Sequence, residues 1–246
     1  MKMVSNLAWK PPDGMEEYLK PTEFVDSNSE IVIEATKRVI QDAKTPRQAA
    51  IKIFYYVREE IKFGFVYPPL IKASSVIKRA MGQCTAKTIL TVAMLRAAKI
   101  PARFHFADIS TESIRGLASR LTYRVMPEAI GHAYPEVYLD RWIKIEPLID
   151  KELYEVMTKK KISLGAPDLP KPSIDWDGYS DALVTGSLLA GDFGVHASPE
   201  AELTKVIRRF SFKEATRRFV SLRGVLWSLL GGWWLSNRNL EKLRKE

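Results

Sequence analysis

Cysteine and histidine are scarce in this sequence. The 246 residues include one cysteine, Cys84, and three histidines. One cysteine cannot form a disulfide within the chain, so the fold must be stabilised by a buried core. Because the cysteine and the histidines match no metal-ligand spacing, we expect neither a metal nor another cofactor. The triplet Asp192-Phe193-Gly194 is not accompanied by a glycine-rich phosphate loop and does not indicate a kinase.

Long apolar segments are absent as well. Residues 1–5 lack the continuous apolar stretch of a signal peptide, and we therefore expect a cytoplasmic protein. The composition, 46% hydrophobic and 27% charged, is ordinary for a folded soluble protein. A chain of this length can bury a substantial core as one domain, with or without an appendage.

Acidic residues are few at the C-terminal end. The net charge is +9, and residues 205–246 hold 11 Lys/Arg against 3 Asp/Glu, so 8 of the 9 excess charges lie there. Apolar residues in this segment recur at intervals of three and four, which predicts an amphipathic helix. They are Phe212, Ala215, Phe219, Leu222, Leu226 and Leu229.

A basic helix followed by tryptophans can lie on an anionic membrane or associate with a second copy. We favour packing of its apolar stripe on the body or on a second copy, because residues 224–235 are too few to span about 30 Å of hydrocarbon. The aromatic residues lie on the apolar side and not among the arginines, so we expect no nucleic-acid binding.

The apolar spacing predicts helices over residues 29–40 and from residue 46 to just before Gly64. Thr45, Pro46 and Gln48 have the types expected of a helix start. Alternating residues predict a strand over 102–109, and two more strands over 132–139 and 142–149 form a hairpin. Pro135 cannot donate a ladder hydrogen bond, so its nitrogen should face a bulge or an edge.

Cys84 opens a helix that is apolar nearly all round and must therefore lie in the centre of the protein. A lone cysteine is most often an inert, buried side chain. A helix N-terminus, however, lowers the pKa of a thiol by favouring its negative charge. Cys84 is therefore a candidate nucleophile.

His132 is the candidate base. It lies at the start of the first strand of the hairpin, and an imidazole can accept the proton of a thiol. A nucleophile, a base and an acid that orients the base make the arrangement that acyl transfer needs. Side chains at alternate positions of each strand share a face, so the hairpin can bring a carboxylate to the imidazole. Glu146 is our first choice for this acid, with Asp150 and Glu136 as alternatives.

These segments resemble the transglutaminase-like cysteine enzyme superfamily over residues 45–150. The resemblance rests on Gly82-Gln83-Cys84, on the apolar helix that ends before Ile100-Pro101, on Gly131-His132-Ala133-Tyr134-Pro135-Glu136, and on Trp142-Ile143-Lys144-Ile145-Glu146-Pro147. It implies an α+β, papain-like core in which a central helix carries the nucleophile against an antiparallel sheet that carries the histidine and the acid.

Two positions depart from the superfamily pattern. Glu146 stands where the pattern commonly has aspartate, and Thr85 replaces the tryptophan that follows the cysteine in the animal crosslinking enzymes. The mechanism that the resemblance implies is attack of the Cys84 thiolate on a carbonyl, with a thioester intermediate. The Cys84 N–H is one oxyanion donor. Gln83 and Tyr67 are candidates for the second, and a turn-stabilising role is the one we favour for Gln83.

We divide the chain into an N-terminal arm and helix (1–44), a catalytic core (45–150), a surface excursion or lid (151–197) and basic C-terminal helices (198–246). The predicted function is a cysteine hydrolase, a peptidase or amidase, acting on a peptide or protein. The alternatives are a protein-glutamine transglutaminase and a catalytically silent binding module that uses the basic C-terminal helix.

Overall fold

The computed structural model describes residues 9–66, 70–200 and 232–245. The helices described are α1 (Glu30–Ile40), α2 (Pro46–Glu60), α3 (Ala73–Arg79), α4 (Cys84–Ala97), α5 (Arg120–Val125), α6 (Lys151–Lys160) and α7 (Gly232–Lys245). The strands described are β1 (Lys62–Phe63), β2 (Met81–Gly82), β3 (Ala102–Ser110), β4 (Ala129–Tyr138), β5 (Trp142–Lys144) and β6 (Leu189–His196). Short 3₁₀ turns cover Glu16–Leu19, Thr111–Ile114, Ser163–Gly165 and Gly186–Leu188.

The predicted start of α2 is confirmed. The Thr45 side chain accepts a hydrogen bond from the Gln48 N–H at 3.2 Å, and Pro46 occupies the first turn. The side-chain oxygen of Gln48 accepts a hydrogen bond from the Lys44 N–H at 2.8 Å, whereas in a capping box it would accept one from the Thr45 N–H. The reciprocal cap therefore reaches one residue further back than the usual capping box.

Helix α4 is the central helix, as the sequence predicts. Every residue from 86 to 97 is buried, including Lys87 and Arg96. The Lys87 ammonium donates to the Ile61 carbonyl at 2.6 Å, and the Arg96 guanidinium donates to the Ala102 carbonyl at 2.9 Å. Burial lowers the pKa of Lys87 to about 7 and that of Arg96 to about 10. Carbonyl oxygens at helix and strand ends thus make it possible to bury two cationic side chains.

The main sheet has the order β5-β4-β3-β6, and every neighbouring pair is antiparallel. Helix α4 packs against β4, where the Thr88 hydroxyl donates to the Ala133 carbonyl at 2.9 Å. Strands β1 and β2 form a separate parallel pair that leads directly into α4. The architecture is therefore α+β, with a central helix on an antiparallel sheet.

The hairpin β4–β5 places alternate side chains as predicted. Glu136 lies opposite Lys144, and Tyr138 lies opposite Trp142, so these residues share one face. Beyond Lys144 the Ile145 N–H still donates to the Pro135 carbonyl at 3.0 Å. Proline cannot return that bond, and β5 is accordingly shorter than the predicted strand.

Residues 151–197 differ from the expected surface excursion. They contribute α6 and also β6, which pairs with β3 as the fourth strand of the main sheet. Trp176 is 3% exposed and belongs to the core around α4. Most residues of β6 are exposed or half-buried, so no clear alternation of apolar and polar residues marks this strand in the sequence.

Helix α7 packs on the body. Leu240 and Leu243 are buried in a cluster with Leu153 and Met157 of α6. The predicted amphipathic stripe between Phe212 and Leu229 lies outside the described residues. Within the ranges described, no helix combines the length and the apolar character needed to cross a membrane.

Candidate active site

Cys84 is the first residue of α4, with extended backbone at Gln83 before it. The residue is partly exposed, and its side chain packs against the second core cluster. A small cavity at the thiol is bounded by residues of α4, β4 and the chain after β5. Its lining residues are Cys84, Lys87, Thr88, Ala133, Pro135, Glu146, Pro147 and Leu148.

His132 and Glu146 form a buried pair beside this thiol. The His132 Nε2 lies 2.8 Å from Glu146 Oε1, and each residue is less than 4% exposed. A carboxylate only accepts hydrogen bonds, so Nε2 carries a proton and Nδ1 is the nitrogen left for the thiol. Nδ1 is buried and has no well-aligned hydrogen-bond partner within the described parts of the chain.

The electrostatics of the site favour an ion pair between Cys84 and His132. Burial raises the pKa of Cys84, but the neighbouring His132, with smaller contributions from the Thr85 side chain and the Ala133 N–H, brings the pKa below its usual range. Burial lowers the pKa of His132, whereas the Glu146 charge and the Cys84 thiolate raise it to about 10. Thiolate and imidazolium therefore stabilise each other.

Thr185 is a site residue that the sequence did not predict. Its hydroxyl lies 3.0 and 3.1 Å from the two carboxylate oxygens of Glu146 and 3.2 Å from His132 Nε2. Its N–H donates to Glu146 Oε2 at 2.8 Å. Ala182 pairs in parallel with Ile145, and this pairing brings the following residues beside Glu146. An isolated bridge has no sequence signature, so no signal could have found Thr185.

The two alternative acids lie elsewhere. Asp150 caps α6 and pairs with Arg244 of α7 at 2.9 Å, while its carboxylate also accepts the Phe63 N–H. Burial opposes ionisation of Asp150, but the Arg244 charge lowers its pKa. Among the three predicted acids, only Glu146 lies against His132.

Glu136 pairs instead with Arg103 at 2.7 Å and with His105 Nδ1 at 2.8 Å. Burial would raise the pKa of Glu136, and the hydrogen bonds from these partners lower it. Glu136 and His132 share a strand face but are separated by Tyr134. The histidine that Glu136 orients is therefore His105, on the neighbouring strand.

Of the two candidates for the second oxyanion donor, Gln83 and Tyr67, the structure describes Gln83. The amide oxygen of Gln83 accepts the Val66 N–H at 3.0 Å, and its nitrogen donates to the Val66 carbonyl at 3.5 Å. This contact braces the loop before Cys84, which is the role favoured from the sequence. Tyr67 lies outside the described residues. The Cys84 N–H is in the first turn of α4, where N–H groups have no partner within the helix.

His105 lies on β3 and is paired with two carboxylates. Its Nε2 lies 2.9 Å from Asp192 of β6, in addition to the Glu136 contact. His196 lies at the end of β6 and bonds the Phe193 carbonyl through Nε2. In the parts of the chain that the structure describes, no three His, Cys, Asp or Glu side chains are grouped to hold a metal ion.

A cysteine at the start of a central helix, with a histidine on the antiparallel sheet and a carboxylate just beyond the end of its edge strand, is the arrangement of the papain-like class of fold. Residues 33–147 match the model of the transglutaminase-like superfamily. The match therefore assigns residues 33–147, just under half of the chain, to a transglutaminase-like core. A search of curated proteins found no match.

Two solved structures resemble the chain at low identity. One is a putative cysteine protease from Cytophaga hutchinsonii, 17% identical, with a TM-score of 0.44 over 56% of this chain and 43% of that chain. The other is red sea bream transglutaminase, 16% identical, with a TM-score of 0.33 over 54% of this chain and 26% of that chain. This chain therefore matches less than half of the length of either protein.

Proposed function

We propose that this protein is a cysteine-dependent acyl-transfer enzyme that hydrolyses an amide bond of a peptide or protein. The observation that carries the proposal is the arrangement of Cys84, His132 and Glu146. The thiol is at a helix N-terminus, its pKa is lowered by His132, and the opposite nitrogen of that histidine lies 2.8 Å from Glu146. A buried structural cysteine needs none of these features.

In the proposed mechanism each of the three residues has one task. The Cys84 thiolate attacks the carbonyl carbon, whose π electrons move to the oxygen. His132 then donates its Nδ1 proton to the leaving amine as the C–N bond breaks, which leaves a thioester on Cys84. In the second half, water gives a proton to Nδ1 and attacks the thioester, and Cys84 leaves as the thiolate. Glu146 holds the imidazole through Nε2 and stabilises its positive charge.

The oxyanion of each tetrahedral intermediate needs hydrogen-bond donors. The Cys84 N–H, in the unpaired first turn of α4, is the donor we propose. Water is the default acceptor of the thioester. A primary amine in its place would make the protein a transglutaminase, and only the choice of acceptor separates the two reactions.

The first test is the rate of Cys84 alkylation by iodoacetamide as a function of pH. Wild type should react with an apparent pKa below the ordinary thiol value of about 8.5, because the imidazolium stabilises the thiolate. In His132→Ala the apparent pKa should rise toward that ordinary value. His196→Ala is the matched control, since it removes a histidine that lies at the end of β6, and it should behave as wild type. Identical profiles for all three proteins would contradict the proposal.

The second test identifies the reaction. Wild type and Cys84→Ala are incubated with a panel of fluorogenic peptide amides, and separately with a glutamine-bearing protein and a fluorescent primary amine. Release of new termini by wild type alone supports hydrolysis, whereas covalent incorporation of the amine supports a transglutaminase. If neither product forms and the alkylation profile is that of an ordinary thiol, the silent binding module is favoured.

A further inference from the structure

Thr185 contacts both partners of the buried His132–Glu146 pair, although it is 53 residues from one and 39 from the other in sequence. It is 1% exposed and lies in the connection between Ala182 and the Gly186–Leu188 turn. Two donors of one residue, the N–H and the hydroxyl, therefore converge on a single carboxylate. Nothing in the general mechanism of a thiol nucleophile requires such a residue.

The hydrogen atoms can be assigned from the donor and acceptor inventory. A threonine hydroxyl has one hydrogen, and the carboxylate of Glu146 has none to give, so the hydroxyl donates to Glu146. It therefore turns a lone pair toward His132 Nε2, at 3.2 Å. Nε2–H lies between two acceptors, Glu146 Oε1 and Thr185 Oγ1. Both favour the tautomer that leaves Nδ1 for the thiol.

The same contacts fix the orientation of the carboxylate. The Thr185 N–H holds Oε2 at 2.8 Å, which directs Oε1 to His132. A glutamate side chain has one more rotatable bond than an aspartate and loses more rotamer freedom when it is held in one position. Thr185 therefore compensates for the longer acid at this site.

We propose that Thr185 is a positioning residue that holds Glu146 in register with His132 and selects the Nε2–H tautomer. This inference rests on the proposed function, since the tautomer matters only if His132 serves Cys84. The side-chain contacts of Thr185 are with His132 and Glu146, so it acts through these two side chains.

The test compares Thr185→Val, which keeps the shape and the N–H but removes the hydroxyl, with Thr185→Ser, which keeps the hydroxyl. Loss of a hydrogen bond to a charged group should lower amide turnover on the order of tenfold in Thr185→Val and raise the apparent pKa of Cys84 alkylation. Thr185→Ser should remain close to wild type. Thr36→Val is the matched control, because Thr36 is also buried, but its hydroxyl donates to the Val32 carbonyl of α1.

A double variant tests whether Thr185 acts through Glu146. In a Glu146→Gln background, Thr185→Val should change the alkylation profile no further, because the carboxylate it positions is already gone. Additive effects of the two substitutions, an unchanged profile in Thr185→Val, or equal losses in the valine and serine variants would each overturn the inference. Thermal unfolding of every variant separates a loss of fold from a loss of positioning.

A spectroscopic measurement separates this inference from the proposed function. The Nε2–H proton of His132 should exchange with solvent faster in Thr185→Val than in wild type or Thr185→Ser, whether or not a substrate is turned over. Faster exchange without any amide turnover would retain the positioning role and refute the enzyme. If Thr185→Val turns over amides at the wild-type rate and the exchange of the Nε2–H proton is unchanged, the enzyme is supported and the positioning role of Thr185 is refuted.

Discussion

Glu146 reaches His132 from the chain just beyond β5, not from within the strand. Strand β5 ends at Lys144. The hydrogen bond from the Ile145 N–H to the Pro135 carbonyl is the last backbone hydrogen bond between this segment and β4. Glu146 is therefore held by its contacts with His132 and Thr185 and not by strand pairing.

A second histidine is held by carboxylates on the same strand face. His105 lies between Glu136 and Asp192 and stacks on Tyr134, with ring centroids 4.7 Å apart. The hydrogen bond to Glu136 raises the pKa of His105, against the opposing effect of burial. Because Asp192 belongs to β6, this histidine joins three strands of the sheet.

The pH dependence of stability follows from the raised pKa of His105. The folded protein holds this proton more tightly than the unfolded chain, so the stabilisation is complete below the unfolded pKa of about 6.5 and is lost as the pH rises through the folded pKa. We predict that the difference in unfolding free energy between wild type and His105→Gln decreases over that range. Urea unfolding from pH 5 to 9 measures it. Asp192→Asn should reduce the pH dependence of the unfolding free energy without removing it, because Glu136 still contacts His105. A difference independent of pH would refute the assignment.

At the scale of elements, α7 binds the segment that precedes the candidate active site. The Asn237 side chain accepts the Phe65 N–H and donates to the Phe65 carbonyl, both at 2.8 Å. Arg244 donates to the Phe63 carbonyl at 3.0 Å and pairs with Asp150. Backbone groups between β1 and Val66 are thus satisfied by side chains of a helix far away in sequence. The C-terminal helix is part of the fold around Cys84.

Packing of α7 on α6 predicts a large effect of truncating its buried face. Leu240 is 1% exposed in a cluster with α6, and Leu240→Ala should lower the free energy of unfolding by about 2–5 kcal/mol. Trp234 lies on the same helix at 48% exposure, and Trp234→Ala should cost no more than about 1 kcal/mol. Chemical denaturation of both variants provides the comparison. Equal small losses would mean that the helix does not pack on the body in solution.

At the scale of the whole molecule, two apolar clusters meet at the candidate active site. One surrounds α4 and includes the inner residues of the sheet, and the other lies between α6, α7 and the chain after β5. Cys84 belongs to the helix at the centre of the first cluster, but its side chain packs on the second. The cavity at the thiol lies at this junction, so its shape depends on both clusters.

Shared packing predicts that the two clusters unfold together. Amide protons of α4 and α6 should exchange with solvent through openings that converge on one free energy as urea is added. Native-state hydrogen exchange measures this directly, with α7 as the element that reports on the second cluster alone. A distinct opening of α6 and α7 at lower free energy would show that the second cluster is a separate cooperative unit.

The local elements and the candidate nucleophile could be predicted from the sequence because each has a short-range cause. Thr45 and Pro46 start α2, the all-round apolar pattern buries α4, and Ile100-Pro101 follows the end of that helix. Cys84 and His132 could be chosen in advance because one begins a helix and the other lies on a predicted strand, whereas the acid had three candidates. Asp150 and Glu136 could not be separated from Glu146, since strand alternation fixes a face but not which side chains on it touch.

The tertiary structure decided what depends on contacts between distant segments. Thr185 lies beside Glu146 through one isolated bridge, β6 joins the sheet after the helix and turns of residues 145–188, and Arg244 pairs with Asp150 across the fold. Sequence periodicity records which residues share a face of one element. It carries no information about which element a buried polar group will contact. Those long-range contacts place Glu146, and not Asp150 or Glu136, beside His132, and they place Thr185 beside Glu146.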